Sequence, residues 1–519
     1  MVNQTAQSFK FVKHIWERKP GDRVIHLHRP QRYRLRRVLG VPGLWATGYG
    51  DVGSSIYYAL GIVALVAMGA TPVVLGIAGI IFVFNALTYA EGVSMLPEAG
   101  GSSSFARHGF NELIGFIAGW ALVFSYVVTI AISSFTIPSY LGYFWEPFKQ
   151  SQVLGVAVSM GIVLFLTALN VLGVRESTLF SLSMAILDVI TQVFLIFLGM
   201  VFLFDPHLLA QNVTLYWPET HNFIFGIAVA SIAFTGVESV SQLVEETRHP
   251  QVRAPRAYIA MMFTVLILFA GISLVAFSVM TPQQLATDWA TDPVAGIAAN
   301  LPERLAQSPP SDPALNILYI WFVNGLRHVL PFLVAILAAT ILLIATNAGI
   351  LGISRLSFSL SEHRELPSVF KRIHSKFKTP YVAILVFSGV AILLQLPGLF
   401  SPNIFTILGG LYAFGSLATF ALAHASILSL RWRQPNRPRP FKLTWSIRVK
   451  GTELPVTAIL GLISTFGIWV VLIIYQPYSR WLGFGWMALG VGVYFIYRRH
   501  AHLPILRMGK KLKGITKAG

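Results

Sequence analysis

Long apolar runs alternate with short polar loops along nearly the whole chain. Twelve runs fall at roughly 44–69, 72–96, 111–141, 153–172, 178–204, 222–241, 256–280, 328–354, 381–397, 403–430, 454–476 and 481–497. About 20 apolar residues suffice to cross a bilayer as a helix, so the pattern predicts an all-α integral membrane protein with twelve transmembrane helices. A further apolar stretch, "NILYIWFVNGL" (Asn316 to Leu326), is too short to span and is expected to lie at the membrane surface. Counting it as a span would put the two basic termini on opposite sides.

Two of the runs are interrupted. "GYGDVGSSIYYALG" (Gly48 to Gly61) in helix 1 and "IAFTGVESVSQL" (Ile232 to Leu243) in helix 6 each set glycine beside hydroxyls and one carboxylate. Glycine weakens a helix by about 1 kcal/mol relative to alanine. In lipid, freed backbone groups are tolerated only where they line protein or an aqueous cavity. The interruptions lie five helices apart, an odd number, so the two helices run in opposite directions. Paired broken helices in inverted halves point to a solute site at mid-membrane.

Composition agrees with the pattern. Hydrophobic residues make up 55% of the 519 and charged residues 12%, with mean hydropathy +0.66, whereas soluble domains are nearer a quarter charged. The absence of cysteine excludes disulfides and thiol chemistry. The histidines have no metal-ligand spacing, no nucleophile–base set is apparent, and no cofactor is expected; the chain does not read as an enzyme. No cleavable signal is apparent ahead of the first run.

The net charge of +18 changes the picture only through its distribution. With a cytoplasmic N-terminus, the extracellular segments hold Lys149, Arg304, Arg327 and Arg480, and all but these four of the 39 Lys and Arg lie on the other side. That is the positive-inside asymmetry. The basic clusters Arg29 to Arg37 and Lys510 to Lys513 are expected to face the anionic cytoplasmic leaflet rather than nucleic acid. The organisation expected is a basic cytoplasmic tail (1–43), a transport core (44–430), helices 11 and 12 with a preceding basic loop (431–497), and a second basic cytoplasmic tail (498–519).

Four motifs in order carry a family resemblance. "GSSIY" (Gly53 to Tyr57), "PEAGGSSSFAR" (Pro97 to Arg107), "FTGVESVSQLVEETRHPQVRAPRA" (Phe234 to Ala257) and "NAGILGISRLSFSLSEHRELP" (Asn347 to Pro367) resemble the helix 1 break, the loop after helix 2, helix 6 with its loop, and helix 8 of the amino acid–polyamine–organocation superfamily. The resemblance implies five plus five inverted helices, with helices 1 and 6 discontinuous and two further helices outside the repeat. It implies a multi-pass transporter of the plasma membrane that moves a small molecule by cation-coupled symport, with the proton favoured over sodium and an amino acid as the solute. Asp51 and Tyr58, with Ser54 and Ser55 between them, are similar to helix 1 of the KUP-type potassium importers, a branch of the same superfamily. Proton-coupled potassium uptake is therefore the alternative, and Ser125 departs from it where some members carry an acid in helix 3. A non-transporting sensor or scaffold is a second alternative.

The candidate residues follow. The N–H groups of Gly53, Ser54 and Ser55 are expected to receive a carboxylate at the start of a half-helix, and freed carbonyls near Phe234, Thr235 and Gly236 an ammonium. Phe234 and Tyr126 are candidates to line a side-chain pocket. Asp51 suits a hard cation beside Tyr58, or caps the second half of helix 1. Glu238, at the acidic position of the helix 6 motif, is the candidate for proton coupling. Asp188, where some proton-coupled members carry lysine, either assists coupling or faces a polar seam. Glu91, at the cytoplasmic end of helix 2, reads as structural, and "EETRHPQVRAPR" either locks the cytoplasmic gate or caps helices.

Overall fold

The computed structural model describes residues 37, 39–173, 178–307, 309, 311–401 and 403–506. Apart from Arg37, the basic clusters expected to face anionic lipid lie outside them. The helices are α1 (41–67, interrupted), α2 (Thr71–Met95), α3 (Glu112–Leu141), α4 (Gln152–Leu172), α5 (Thr178–Phe202), α6 (220–246, interrupted), α7 (Pro250–Val279), α8 (Pro313–Glu362), α9 (Tyr381–Gln395), α10 (Ile404–Arg433), α11 (Val456–Tyr475) and α12 (Pro477–His500). Ten helical stretches in the described chain are long and apolar enough to cross a membrane. The first, Val41–Met95, is two crossings, because the chain turns back at Met68–Ala70, where Met68 has φ 45°. The short polar loops supply caps: Asn111 accepts from the Ile114 N–H at 2.9 Å to start α3, and Gly173, at φ 75°, ends α4 in the left-handed conformation.

One expectation is corrected. Asn316 to Leu326 is not a separate surface segment but the N-terminal continuation of α8, a single 50-residue helix. Arg327 and His328 interrupt hydropathy without interrupting the backbone, because neither side chain removes a main-chain hydrogen bond. Tyr319 ties this outer end to the short helix Pro293–Ala306 through its hydroxyl, which donates to the Leu305 carbonyl at 2.8 Å.

The start of α1 lies beside the end of α6. The Leu39 N–H donates to the Glu246 carbonyl and the Arg248 N–H to the Leu39 carbonyl, both at 3.0 Å. The two interrupted helices therefore run antiparallel. Around them, α2 packs on α7, and α3 packs on α8 and α10. On the face carrying Leu39, polar anchors join the helix ends. Glu91 of α2 accepts from Arg431 of α10 at 2.6 and 2.7 Å and from the Leu443 N–H at 2.9 Å. Arg107 holds Glu365, and Arg498 holds Glu112. Between α10 and α11 an antiparallel hairpin, β1 (Ser446–Val449) and β2 (Thr452–Pro455), leads straight into α11.

Candidate functional site

The two interruptions differ in kind. In α1 the residues Gly53–Ser55 form a 3-10 turn whose backbone stays in the right-handed helical region. The Gly53 N–H donates to the Tyr49 carbonyl, and the Ser54 hydroxyl bonds back to the Asp51 carbonyl at 2.7 Å. The expected cradle of free N–H groups at Gly53, Ser54 and Ser55 is thus not an unwound segment. Serine and glycine tolerate helical dihedrals, and the turn merely tightens. In α6 the chain does leave the helix: Thr235 is extended (φ −81°, ψ 159°) and Gly236 takes φ 100°, before the short helix Ser239–Gln242.

Gly236 is where the two meet. A Cβ there would sit 2.9 Å from Asp51 Cγ, and the positive φ already excludes most side chains, so only glycine permits this approach. Asp51 is 1% exposed, yet neither carboxylate oxygen has a hydrogen-bond partner among the described residues. Buried polar atoms are nearly always paired, which makes this carboxylate a candidate to bind a solute or an ion. Tyr58 follows on the next turns of α1, its hydroxyl 3.0 Å from that of Ser55.

Glu238 sits just beyond Gly236. Its Oε2 accepts from the Gly236 N–H at 3.2 Å and its Oε1 from the Ser125 hydroxyl at 3.4 Å, and Ser125 in turn lies 2.7 Å from the hydroxyl of Ser416 on α10. Ser416 escaped the sequence reading; its only signal is "FGS" within an apolar run, where a Cβ on Gly415 would lie 3.0 Å from the Ser125 backbone nitrogen of α3, so glycine permits the close packing. The Thr235 hydroxyl bonds to the Ile232 carbonyl at 2.8 Å. Tyr126 packs its ring on Gly352 of α8, and its buried hydroxyl has no partner among the described residues. Phe234 is held between Phe82 and Phe269, with ring centroids 5.2 Å from each, so its ring is packed against α2 and α7.

Asp188 lies apart from this group. It accepts from the hydroxyls of Tyr49 (2.6 Å) and Tyr57 and from Gln192 (2.9 Å). The two tyrosines stand on either side of the Gly53–Ser55 turn, so one carboxylate on α5 grips α1 before and after it.

The site is closed on both sides. On the basic face, Glu246 at the end of α6 pairs with Arg355 of α8 at 2.7 Å, and Glu245 accepts from the Ala99 N–H at 3.3 Å. On the opposite face, Lys149 pairs with Asp292 at 2.8 Å and covers the ring of Trp289. Burial pushes the Asp292 carboxyl above the usual carboxylate range, partly opposed by Lys149. The Ala290 carbonyl is pressed against Gly61 of α1. Glu91, read as structural, is bound to Arg431 and takes no part in the site.

A family model described as amino acid permease matches residues 39–496. The chain is 27% identical over 496 residues to the branched-chain amino acid permease BcaP of Bacillus subtilis, covering 90% of this chain and 95% of that one. It is 26% identical over 491 residues to the methylthioribose transporter of the same organism, with the same coverage. A human relative, the large neutral amino acids transporter small subunit 2, is 26% identical over 84% of this chain and 75% of its own.

Proposed function

Because the chain belongs to the amino acid permease family, whose members are membrane transporters rather than enzymes, we propose that it takes up an amino acid together with a proton, binding the solute where α1 meets α6. The observation that carries this reading is the buried carboxylate of Asp51 lying against Gly236, without a hydrogen-bond partner among the described residues and with Glu238 beside it. An ammonium group suits Asp51. The solute's carboxylate takes the hydroxyls of Tyr126 and Tyr58 as donors, since the α1 turn stays helical and its Gly53 N–H is engaged by the Tyr49 carbonyl. Glu238 carries the proton: it is held by one N–H and one hydroxyl, both weak holds for a full charge out of water. Asp188, gripping α1 on both sides of its turn, couples a change in its own charge to the shape of α1. The basic face is cytoplasmic, with both termini there, in the plasma membrane.

A second reading is favoured by one specific observation. The site offers acceptors more readily than donors, which suits a bare cation such as potassium, coordinated by Asp51, Tyr58 and Thr235. The test uses purified protein in liposomes loaded with a pH-sensitive dye under an imposed membrane potential. A pool of L-amino acids and then potassium are added separately, with the potential clamped in the potassium arm. Internal acidification on amino acids is expected; acidification on potassium alone would replace the first reading by the second, and none in either arm would reject both.

A further inference from the structure

The hairpin before α11 has no role in the site, and its two faces differ. In the register Arg448↔Glu453 and Ile447↔Leu454, one face carries Trp445, Ile447 and Val449 with Leu454, and the other carries Arg448 with Glu453. Trp445 is 62% exposed, Ile447 47% and Val449 36%. Lys450 and Gly451 form the connecting turn, at φ 47° and 81°, which is the geometry of the tight two-residue loop that matches strand twist. Around one acid, Glu453, stand Lys442 at 2.5 Å and Arg448 at 3.2 Å, with Lys450 at the tip, so the ribbon keeps a net positive charge. Two strands alone are marginal in water, and this pair leaves its apolar face open.

We infer that this face rests on the membrane surface and that its occupant is the headgroup layer of anionic phospholipid. Position and charge both select that occupant. The ribbon's second strand runs into α11 without a linker, which keeps its base at the depth where a spanning helix leaves the bilayer. Tryptophan favours this interfacial depth, and lysine and arginine favour anionic lipid. The ribbon is also wired to the helix bundle. The Phe441 N–H and carbonyl both bond the Ser94 hydroxyl at 3.2 Å, and the Leu443 N–H bonds Glu91, so the strand approach is stitched to the end of α2. Arg431 additionally reaches the Glu453 carbonyl at 3.4 Å. Lipid that holds the hairpin therefore holds the strap across α2.

The chain's lack of cysteine makes the test direct. The full-length Ile447→Cys protein is labelled with an environment-sensitive dye and reconstituted into vesicles of phosphatidylcholine alone or with one third phosphatidylglycerol, each containing a lipid-borne quencher. Quenching at least about twofold greater in the anionic vesicles is expected, falling with added salt and with Lys450→Glu. Quenching that is equal in the two vesicle types, or absent from both, would overturn the inference. Because Ile447 is exposed, the substitution leaves the packed chain intact, and the readout does not depend on which solute is carried.

Discussion

Asp51 and Glu238 reach the middle of the protein by different routes, and the routes assign them different work. Asp51 sits on a helix that tightens at its turn without unwinding, with its carboxylate aimed at Gly236 and without partners among the described residues. Glu238 sits just past a real opening and is held by neighbours on α3 and its own strand-like segment. A proton on Glu238 is expected to drive accumulation. Glu238→Gln, which keeps the shape and an acceptor oxygen for the Ser125 hydroxyl, should retain at least about a third of solute exchange while losing pH-driven accumulation, measured as counterflow against net uptake in liposomes. Full accumulation by that variant would remove Glu238 from coupling. The residue types of this site were legible in the sequence, because a carboxyl inside an apolar run is too costly to be idle. Their pairings were not: Ser416 is one hydroxyl in an apolar helix, and nothing in its local pattern distinguishes it from a serine bonded to its own preceding turn.

At the scale of the helices, the apolar runs located the helices to within about six residues, except α8, and α12 is not among the stretches apolar enough to cross a membrane. The exception is physical. Hydropathy reports what lipid will accept, whereas helicity needs only unbroken main-chain hydrogen bonding, and the polar pair Arg327 and His328 affects the first alone. The same distinction explains α1, where glycine and serine signal permission to unwind but do not compel it. Between elements, ion pairs set the ends. Glu91 and Arg431 are both almost wholly buried, and removing one partner of such a pair leaves a charge that low-dielectric surroundings cannot accommodate. Arg431→Leu is expected to cost about 3 kcal/mol of stability, with much of that recovered when Glu91→Leu is added. Thermal unfolding of the single and double variants in detergent checks this; a double variant no more stable than Arg431→Leu alone would mean that the pair is not the source.

For the whole molecule, stability should follow pH through a group on the basic face. His108, in the short helix Ser102–Gly109 between α2 and α3, is pushed down to about 4 from 6.5 by burial, with Arg437 and Arg107 adding to the effect and Glu98 opposing it. Below pH 6.5 the unfolded chain takes a proton that the folded chain refuses until about pH 4. Its contribution is therefore full above pH 6.5 and lost as pH falls through that window. His108→Gln should flatten the acid side of the unfolding profile between pH 6.5 and 4; profiles that run parallel would place the slope elsewhere.

The long helix α8 touches every part of this arrangement. Tyr319 meets the outer cap, Gly352 lies under Tyr126 at the site, and Arg355 closes the inner side on Glu246. Pro331 stands between the outer contact and the other two, and proline removes an internal hydrogen bond at the point where it falls. One missing bond in an otherwise continuous rod is the place where it bends most easily, between its outer contact and the inner seal. If the inner and outer seals open independently, both are open only as often as the product of two small fractions. Leakage of ions down their gradient is then suppressed by multiplication, and neither seal has to be perfect.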